Sequence, residues 1–284
     1  MGVVAKVDER GDTPSILDVR PEAAFRCRHR AGAANIPLEE LAGRTHELPP
    51  RDVPLIVFDV DGTRARWAAS RLRAWERAVA QVVSGEEWLR AGPVEEGASQ
   101  TRLWRPHGFL LEAVELARRL WSGVEGRLAL DIACGSGREA VFLAMQGFRV
   151  DAMDVLPDAL DRCRDLARRQ DVTVETRCID VQTAPTIEAD RYDMVCCFNF
   201  LHRPLMPLVA RAVRPGGLVV YETFLREQRE RFGRPSRDSH VLEPDELPKY
   251  FDGWERLVSR EGMSGPKRIV ASLIARKASA LEAT

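Results

Sequence analysis

A loop with two glycines lies near the middle of the chain and is the clearest candidate for binding chemistry. Residues 128–140 read LALDIACGSGREA, so an apolar run passes through Gly135 and Gly137 into a helix-like segment. Glycine lets the backbone turn tightly and approach a ligand closely, and the first turn of a helix offers unpaired N–H groups. With Ala140 the spacing also satisfies the dinucleotide-binding fingerprint, so the loop alone leaves the ligand open.

Three aspartates lie in or after successive apolar runs. Asp131 lies inside the run before the loop, Asp154 ends the next run and Asp180 ends the third. Because ligands bind outside the carboxyl ends of parallel strands, we expect the three carboxylates to border one crevice. Asp131 suits an ammonium group, Asp154 the hydroxyls of a ribose and Asp180 the amino group of an adenine. The set favours a cationic adenosyl ligand over an anionic dinucleotide such as NAD.

With YDMVCCFNFLH (192–202) and RPGGLVVYETF (214–224), these features resemble class I S-adenosylmethionine-dependent methyltransferases over about residues 103–277. The resemblance implies a Rossmann-like α/β fold with a seven-stranded sheet, an antiparallel last strand and S-adenosyl-L-methionine as the cofactor. The details are similar to the tellurite-resistance (TehB-like) and small-molecule methyltransferase branch. The residues expected to bind the cofactor are Asp131, Ala133, Gly135, Gly137, Asp154, Val155, Asp180, Val181 and Phe198.

Candidates for catalysis follow the fourth and fifth strands. His202 is expected to accept a proton or orient a substrate, with a helix cap or a solvent contact as the alternative. Tyr221 and Glu222 are predicted to end the fifth strand and point toward the crevice. Glu222 is then either a base or one half of a buried pair with an arginine. Methyl transfer to a soft or basic nucleophile depends mainly on alignment, so no general base is obligatory.

The methyl acceptor is expected to lie among residues that follow these strands. Asn199 and Arg203 follow the fourth strand, and residues 231–244 (RFGRPSRDSHVLEP) are predicted to form a lid that carries Arg234 and His240. A small thiol, a metalloid species or another metabolite is the favoured acceptor. A protein or tRNA nucleophile remains an alternative, and so does a non-catalytic adaptor that binds metabolites.

The N-terminal part carries a second resemblance. Residues 16–41 (ILDVRPEAAFRCRHRAGAANIPLEEL) and the strand, loop and helix of residues 55–72 resemble the rhodanese family. Asp59 stands where that family has its persulfide-forming cysteine, and Arg64 matches the loop arginine. Because sulfane transfer needs a thiolate, we expect a rhodanese-like domain without sulfurtransferase activity. Cys27, in the preceding helix, is interpreted as a packing residue rather than a displaced nucleophile.

A rival interpretation exists for the same loop. FDVDGT, at 58–63, equals the first motif of haloacid-dehalogenase-type phosphatases. That family also needs later Thr/Ser, Lys and paired-acid motifs in the same fold. The chain continues into a linker and the second α/β pattern instead, so phosphatase activity is disfavoured.

The elements predicted around these residues form two α/β domains. We expect a rhodanese-like domain at 1–92, a linker at 93–102 and a methyltransferase domain at 103–284, with short apolar runs alternating with helices. In the first domain a helix is predicted over Arg66–Ala80. At the end of the second, runs at Trp254–Arg260 and Arg268–Ala275 have no helix between them and are expected to pair antiparallel.

Composition restricts the partners. The chain has 42 basic and 43 acidic residues and a formal net charge of −1, which gives no strong signal for nucleic acid. None of its six cysteines is spaced as CxxC, and no metal site is expected. The first residues lack a long apolar leader, and no apolar run would span a bilayer. A cytoplasmic location is therefore expected, with the oligomeric state left open.

Overall fold

The computed structural model of the protein describes residues 14–183 and 186–279. The expectation about a leader concerns residues outside this range. The chain divides into two units, with the division between Arg105 and Pro106. No helix in the described ranges has the length and apolar character to cross a membrane.

The first unit is built on a parallel sheet of four strands, in the order β3-β1-β4-β5. Its elements are β1 (Ser15–Asp18), α1 (Glu22–Cys27), β2 (His29–Arg30), β3 (Ala33–Asn35), β4 (Leu55–Asp59), α2 (Thr63–Ala74), β5 (Val79–Ser84), α3 (Glu86–Arg90) and β6 (Val94–Glu95). Leu55 and Val57 of β4 are buried in one core cluster with Leu17 of β1 and Leu72 of α2. The predicted loop of residues 59–64 therefore joins the end of a buried strand to a helix.

The prediction of a helix over Arg66–Ala80 is wrong in its last six residues. Helix α2 ends at Ala74, and Glu76 takes a left-handed conformation with φ of 58°. The following run then forms β5, which pairs in parallel with β4. Three of its six residues are valines, whose branched side chains favour a pleated strand.

The whole predicted linker, residues 93–102, lies within the first unit. Val94 and Glu95 form β6, which pairs antiparallel with β2. Two residues later, the Gly97 amide donates a hydrogen bond to the Arg26 carbonyl at 2.7 Å.

The second unit contains a seven-stranded sheet in the order β12-β13-β11-β10-β7-β8-β9. Its elements are α4 (Gly108–Trp121), β7 (Leu128–Ile132), α5 (Arg138–Met145), β8 (Arg149–Asp154), α6 (Pro157–Arg169), β9 (Glu175–Cys178), β10 (Tyr192–Phe198), α7 (Met206–Ala212), β11 (Val213–Phe224), α8 (Arg226–Phe232), β12 (Glu255–Gly265) and β13 (Arg268–Arg276). Strand β13 runs antiparallel to both β11 and β12. The predicted Rossmann-like sheet with an antiparallel last strand is confirmed.

Strands β7 to β11 are parallel, so their carboxyl ends meet at one edge of the sheet. The loop with Gly135 and Gly137 leaves β7 at this edge, and Asp154 ends β8 there. Strand β11 extends to Phe224, two residues beyond the end predicted at Tyr221 and Glu222.

Gly137 is required by a close contact between two elements. Its φ is +78°, and a Cβ at this position would lie 2.6 Å from the Cβ of Cys163 in α6 and closer still to its sulfur. Cys163 is fully buried. Helix α6 therefore packs directly on the glycine loop, and its position determines the shape of that loop.

Gly137→Ala is expected to destabilise the ligand-free protein more than Gly216→Ala. Gly216 has the same φ of +78°, but no atom lies within 4 Å of the position that an added Cβ would take, so it reports conformational strain alone. That strain costs about 1–2 kcal/mol, and the overpacking against Cys163 adds roughly 1–3 kcal/mol at Gly137. Urea unfolding of both variants is the measurement. Equal losses would contradict the close packing of α6.

Candidate active site

A cavity of about 380 Å³ opens beside the glycine loop at the carboxyl edge of the second sheet. Five of the predicted site residues line it: Asp131, Ala133, Gly135, Phe198 and Asn199. A larger cavity, of about 620 Å³, lies by the starts of β8 and β9 and contains none of the predicted residues. The cavity of about 380 Å³ beside the glycine loop is therefore the candidate site.

Asp131 is the most unusual group in this cavity. The residue is 2% exposed, and its Oδ2 has no hydrogen-bond partner in the described part of the chain. Burial, reinforced by the charge of Glu139, raises the pKa of Asp131 well above its ordinary value. Burial also raises the pKa of Glu139, whose Oε1 accepts from the His107 amide at 3.2 Å. Two desolvated carboxyls thus share the site, and a cation would stabilise both in the ionised form.

Asp154 connects the glycine loop to the end of β8. Its Oδ2 accepts a hydrogen bond from the Gly135 amide at 2.8 Å, and its Oδ1 accepts from the Leu156 amide at 2.9 Å. Val155 and Leu156 are more than half exposed, at 52% and 58%. The predicted ribose-binding carboxylate is therefore also a support of the loop, with two apolar side chains open to solvent beside it.

Asp180 closes a turn after β9. Its Oδ1 accepts from the Gln182 amide at 2.9 Å and its Oδ2 from the Thr183 hydroxyl at 3.0 Å. The Gln182 amide is the main cause of the lowered pKa of Asp180, and the charge of the half-buried His202 contributes. Val181 is buried in the core.

Tyr221 does not face the cavity, which corrects the sequence-based expectation. The side chain is buried in the core, and its hydroxyl donates to the Phe200 carbonyl at 2.9 Å. Burial raises the pKa of this hydroxyl far above its ordinary value. Successive residues of a strand point to opposite faces, so Tyr221 and Glu222 cannot both point into one crevice.

Glu222 is the buried centre of a polar cluster that reaches the surface at Asn199. We call it the Glu222 cluster: His107, Asn199, Glu222, Arg268 and Ser272. Its Oε1 is 3.1 Å from Nη2 of Arg268, and its Oε2 accepts from the Ser272 hydroxyl at 2.7 Å. Of the two roles left open for Glu222, the structure shows the buried pair with an arginine. A carboxylate committed to these partners is not a free base.

His107, which the sequence analysis missed, joins this cluster to the cavity. Its ring stacks on Phe198 with centroids 4.6 Å apart, and its Nε2 lies 3.0 Å from Nη2 of Arg268. Burial lowers the pKa of His107 to about 4. The imidazole is therefore neutral at physiological pH, and the positive charge of the cluster is on Arg268.

Three of the residues predicted to contact the acceptor, Arg203 and the lid residues Arg234 and His240, do not line the cavity. Arg203 forms an ion pair with Glu246 at 2.7 Å and donates to the Val241 carbonyl at 3.0 Å. Arg234 is exposed, and His240 is half-buried in a short 3₁₀ turn. Arg203 thus fastens the chain after β10 to the segment near Glu246.

In the first unit, two carboxylates of the loop after β4 accept hydrogen bonds from amides of the same loop. Oδ2 of Asp59 accepts from the Arg64 amide at 3.0 Å, and Oδ1 of Asp61 accepts from the Thr63 amide at 2.7 Å. Burial and a hydrogen bond with Asp61 raise the pKa of Asp59. Cys27 is exposed at the end of α1, so the interpretation of Cys27 as a packing residue is wrong.

Two family models match the chain. Residues 3–88 match the rhodanese-like domain, and residues 129–217 match the methyltransferase domain. Among curated proteins, a ubiquinone biosynthesis O-methyltransferase of Alkalilimnicola ehrlichii is 28% identical over 173 residues, which cover 57% of this chain and 69% of that protein.

Two further relatives differ in how much of the chain they match. An uncharacterised protein of Schizosaccharomyces pombe is 22% identical over 315 aligned positions, covering 92% of this chain and 93% of that one. Among solved structures, TehB from Haemophilus influenzae superposes with a TM-score of 0.50 at 20% identity, over 61% of this chain and 62% of TehB. At that identity the likeness concerns the fold.

Asp131→Asn is expected to change how the stability of the ligand-free protein depends on pH. With its pKa raised in the folded state, Asp131 contributes most at or below its ordinary pKa, and the contribution is lost as the pH rises through the folded pKa. Asparagine does not titrate, so the wild type should lose stability relative to the variant as the pH rises. Denaturant unfolding between pH 4 and 8 measures this.

Asp180→Asn is the control with the opposite sign. The lowered pKa of Asp180 contributes stability above its ordinary pKa, which is lost as the pH falls. Parallel pH profiles for the wild type and Asp131→Asn would show that Asp131 has an ordinary pKa in the fold.

Proposed function

We propose that this chain, which carries a rhodanese-like domain followed by an S-adenosylmethionine-dependent methyltransferase domain, transfers a methyl group to a small-molecule acceptor. The curated relatives named ubiquinone biosynthesis O-methyltransferases support a small molecule as the acceptor. A cavity of about 380 Å³ is also in the range of small-molecule sites.

The buried, unpartnered Oδ2 of Asp131 is the observation that carries the proposal. A desolvated carboxylate is stabilised by a cation that brings hydrogen-bond donors. S-adenosylmethionine has an ammonium group for such a carboxylate and, when bound, supplies an electrophilic methyl group on its sulfonium. The anionic pyrophosphate of NAD would be repelled by Asp131 and Glu139.

Other predicted residues have chemistry that fits the remaining parts of this cofactor. Asp154 has carboxylate lone pairs for the ribose hydroxyls while it also holds the loop amides. The exposed apolar faces of Val155 and Leu156 suit an adenine ring. We assign Asp180 and Val181 to the edge of that ring.

Catalysis in this site rests on alignment rather than on a strong base. Tyr221 and Glu222 are both committed to partners within the fold. His202 is the remaining candidate from the sequence for accepting a proton. Holding an acceptor in line with the methyl group accounts for roughly 7–11 kcal/mol of barrier lowering in favourable cases, and Asn199 and Phe200 border the space where it would lie.

Asp154→Ala is expected to weaken the binding of S-adenosylhomocysteine by about a hundredfold or more. Each hydrogen bond to a charged acceptor contributes roughly 1.5–3 kcal/mol, and two are lost with the ribose. Because Asp154 also accepts from the Gly135 and Leu156 amides, the melting temperature should fall as well. Calorimetric titration measures the first effect and thermal unfolding without ligand the second.

Asp158→Ala is the matched control, since Asp158 is exposed four residues later in α6. It should leave the affinity unchanged and lower the melting temperature less than Asp154→Ala does, because Asp158 only favours the first turn of α6. Unchanged affinity in Asp154→Ala would mean that the ribose is held elsewhere. Wild-type protein that binds NAD and ignores S-adenosylhomocysteine would refute the proposed function.

The first unit is expected to lack thiosulfate:cyanide sulfurtransferase activity. Asp59 cannot form a persulfide, and the loop amides of Thr63 and Arg64 already bind carboxylates of the loop. Thiocyanate production by the wild type and by Cys27→Ser is the measurement, and both should match a blank. Activity that survives Cys27→Ser would contradict the prediction.

A further inference from the structure

The side chain of Arg268 makes all its hydrogen bonds to the described residues through one nitrogen, Nη2. Nη2 lies 3.1 Å from Oε1 of Glu222, 2.5 Å from Oδ1 of Asn199 and 3.0 Å from Nε2 of His107. Nε is buried without a partner, and Nη1 has none among the described residues. The side chain keeps 25% of its surface exposed. Two nitrogens of this partly buried guanidinium, Nε and Nη1, therefore have no hydrogen-bond partner among the described residues.

The guanidinium packs over the Phe224 ring, with Cζ 5.0 Å from the ring centroid, and its Nη2 carries the charge beside Glu222. Glu222 is 1% exposed, and a buried carboxylate requires a cation nearby. A lysine would supply that charge through a single nitrogen, whereas arginine adds a planar fork of donors that matches a carboxylate. The donors on Nη1 are thus additional to what the burial of Glu222 requires.

The sheet order places Arg268 at the same edge of the sheet as the cavity and away from Asp154, next to the cavity lining rather than in it. The glycine loop follows β7 and Asp154 ends β8, whereas Arg268 begins β13, on the other side of β10 and β11. Asn199, which follows β10, lines the cavity and also contacts Arg268. Asn199 therefore links the cavity wall to the guanidinium.

We propose that the methyl acceptor is a small molecule with a carboxylate, bound by Nη1 of Arg268 and the side-chain amide of Asn199. The proposal rests on the proposed methyl transfer and names the class of its acceptor. The carboxylate orients the acceptor, and Phe200 in the cavity wall provides an apolar contact. The cofactor's own carboxylate has the same chemistry and is the competing source.

The test is the binding of matched small molecules to protein saturated with S-adenosylhomocysteine. Each pair consists of a carboxylate and its primary amide, namely benzoate with benzamide, 4-hydroxybenzoate with its amide, and hexanoate with hexanamide. In at least one pair, calorimetry should show the carboxylate binding at least tenfold more tightly than the amide. Arg268→Lys should abolish that preference, because the fork is lost while the charge beside Glu222 is kept.

Two further variants keep the result interpretable. Arg260→Lys, on the adjacent strand β12, changes an exposed arginine that pairs with Glu112 and should retain the preference. The double variant Glu222→Gln/Arg268→Gln removes both charges of this ion pair, so that neither partner is left unpaired, and should lose the preference while staying folded.

Two results would overturn the inference while leaving the proposed function intact. One is the absence of any carboxylate preference in the wild type, or its persistence in Arg268→Lys and the double variant. The other is a tenfold loss of S-adenosylhomocysteine affinity in Arg268→Lys, which would assign the guanidinium to the cofactor's carboxylate. Failure of the wild type to bind S-adenosylhomocysteine would refute the proposed function, and this inference with it.

Discussion

The hydrogen bond from the Gly135 amide to the Asp154 carboxylate holds the second unit's site together. It ties the loop after β7 to the end of β8, and the packing of Gly137 on Cys163 fixes the same loop from the side of α6. With its path constrained at both glycines, the loop encloses Asp131 and leaves one of its carboxylate oxygens buried without a partner among the described residues. The electrostatics of the site thus follow from backbone packing, because a looser loop would admit water to Asp131.

The cavity residues near the glycine loop could be located from sequence because each of them lies in or directly after a strand. Asp131, Gly135 and Asp154 are placed by local pattern alone, since parallel strands bring their carboxyl ends together. The Glu222 cluster was not predictable in the same way. Its contacts join residues 46 and 161 positions apart in sequence, and they depend on the register of the antiparallel pair β11–β13. Strand β5 was missed for a local reason. Its valines also continue the apolar stripe of the predicted helix.

The first unit has a loop between a strand and a helix whose amides bind carboxylates of the same loop. The loop after β4 passes from a buried strand into a helix, and its amides point at anionic oxygens. Those oxygens belong to Asp59 and Asp61, so two backbone amides of the loop are satisfied by side chains of the same loop. Arg64 is likewise turned to a neighbour, Glu39, outside the loop. The S-adenosylmethionine-dependent methyltransferase domain is therefore accompanied by a rhodanese-like fold whose loop is closed by its own side chains.

The antiparallel course of β13 has a consequence for how such a domain diversifies. Because β13 runs against β11, its first residue, Arg268, arrives at the edge where the parallel strands end. The hairpin of β12 and β13 therefore brings Arg268 into contact with Asn199 from a segment that is separate in sequence from the glycine loop and Asp154. Selection can rewrite this hairpin without disturbing β7 and β8. One inherited cofactor apparatus is thereby compatible with many acceptors, and the hairpin is the part of the domain in which lineages should diverge in specificity.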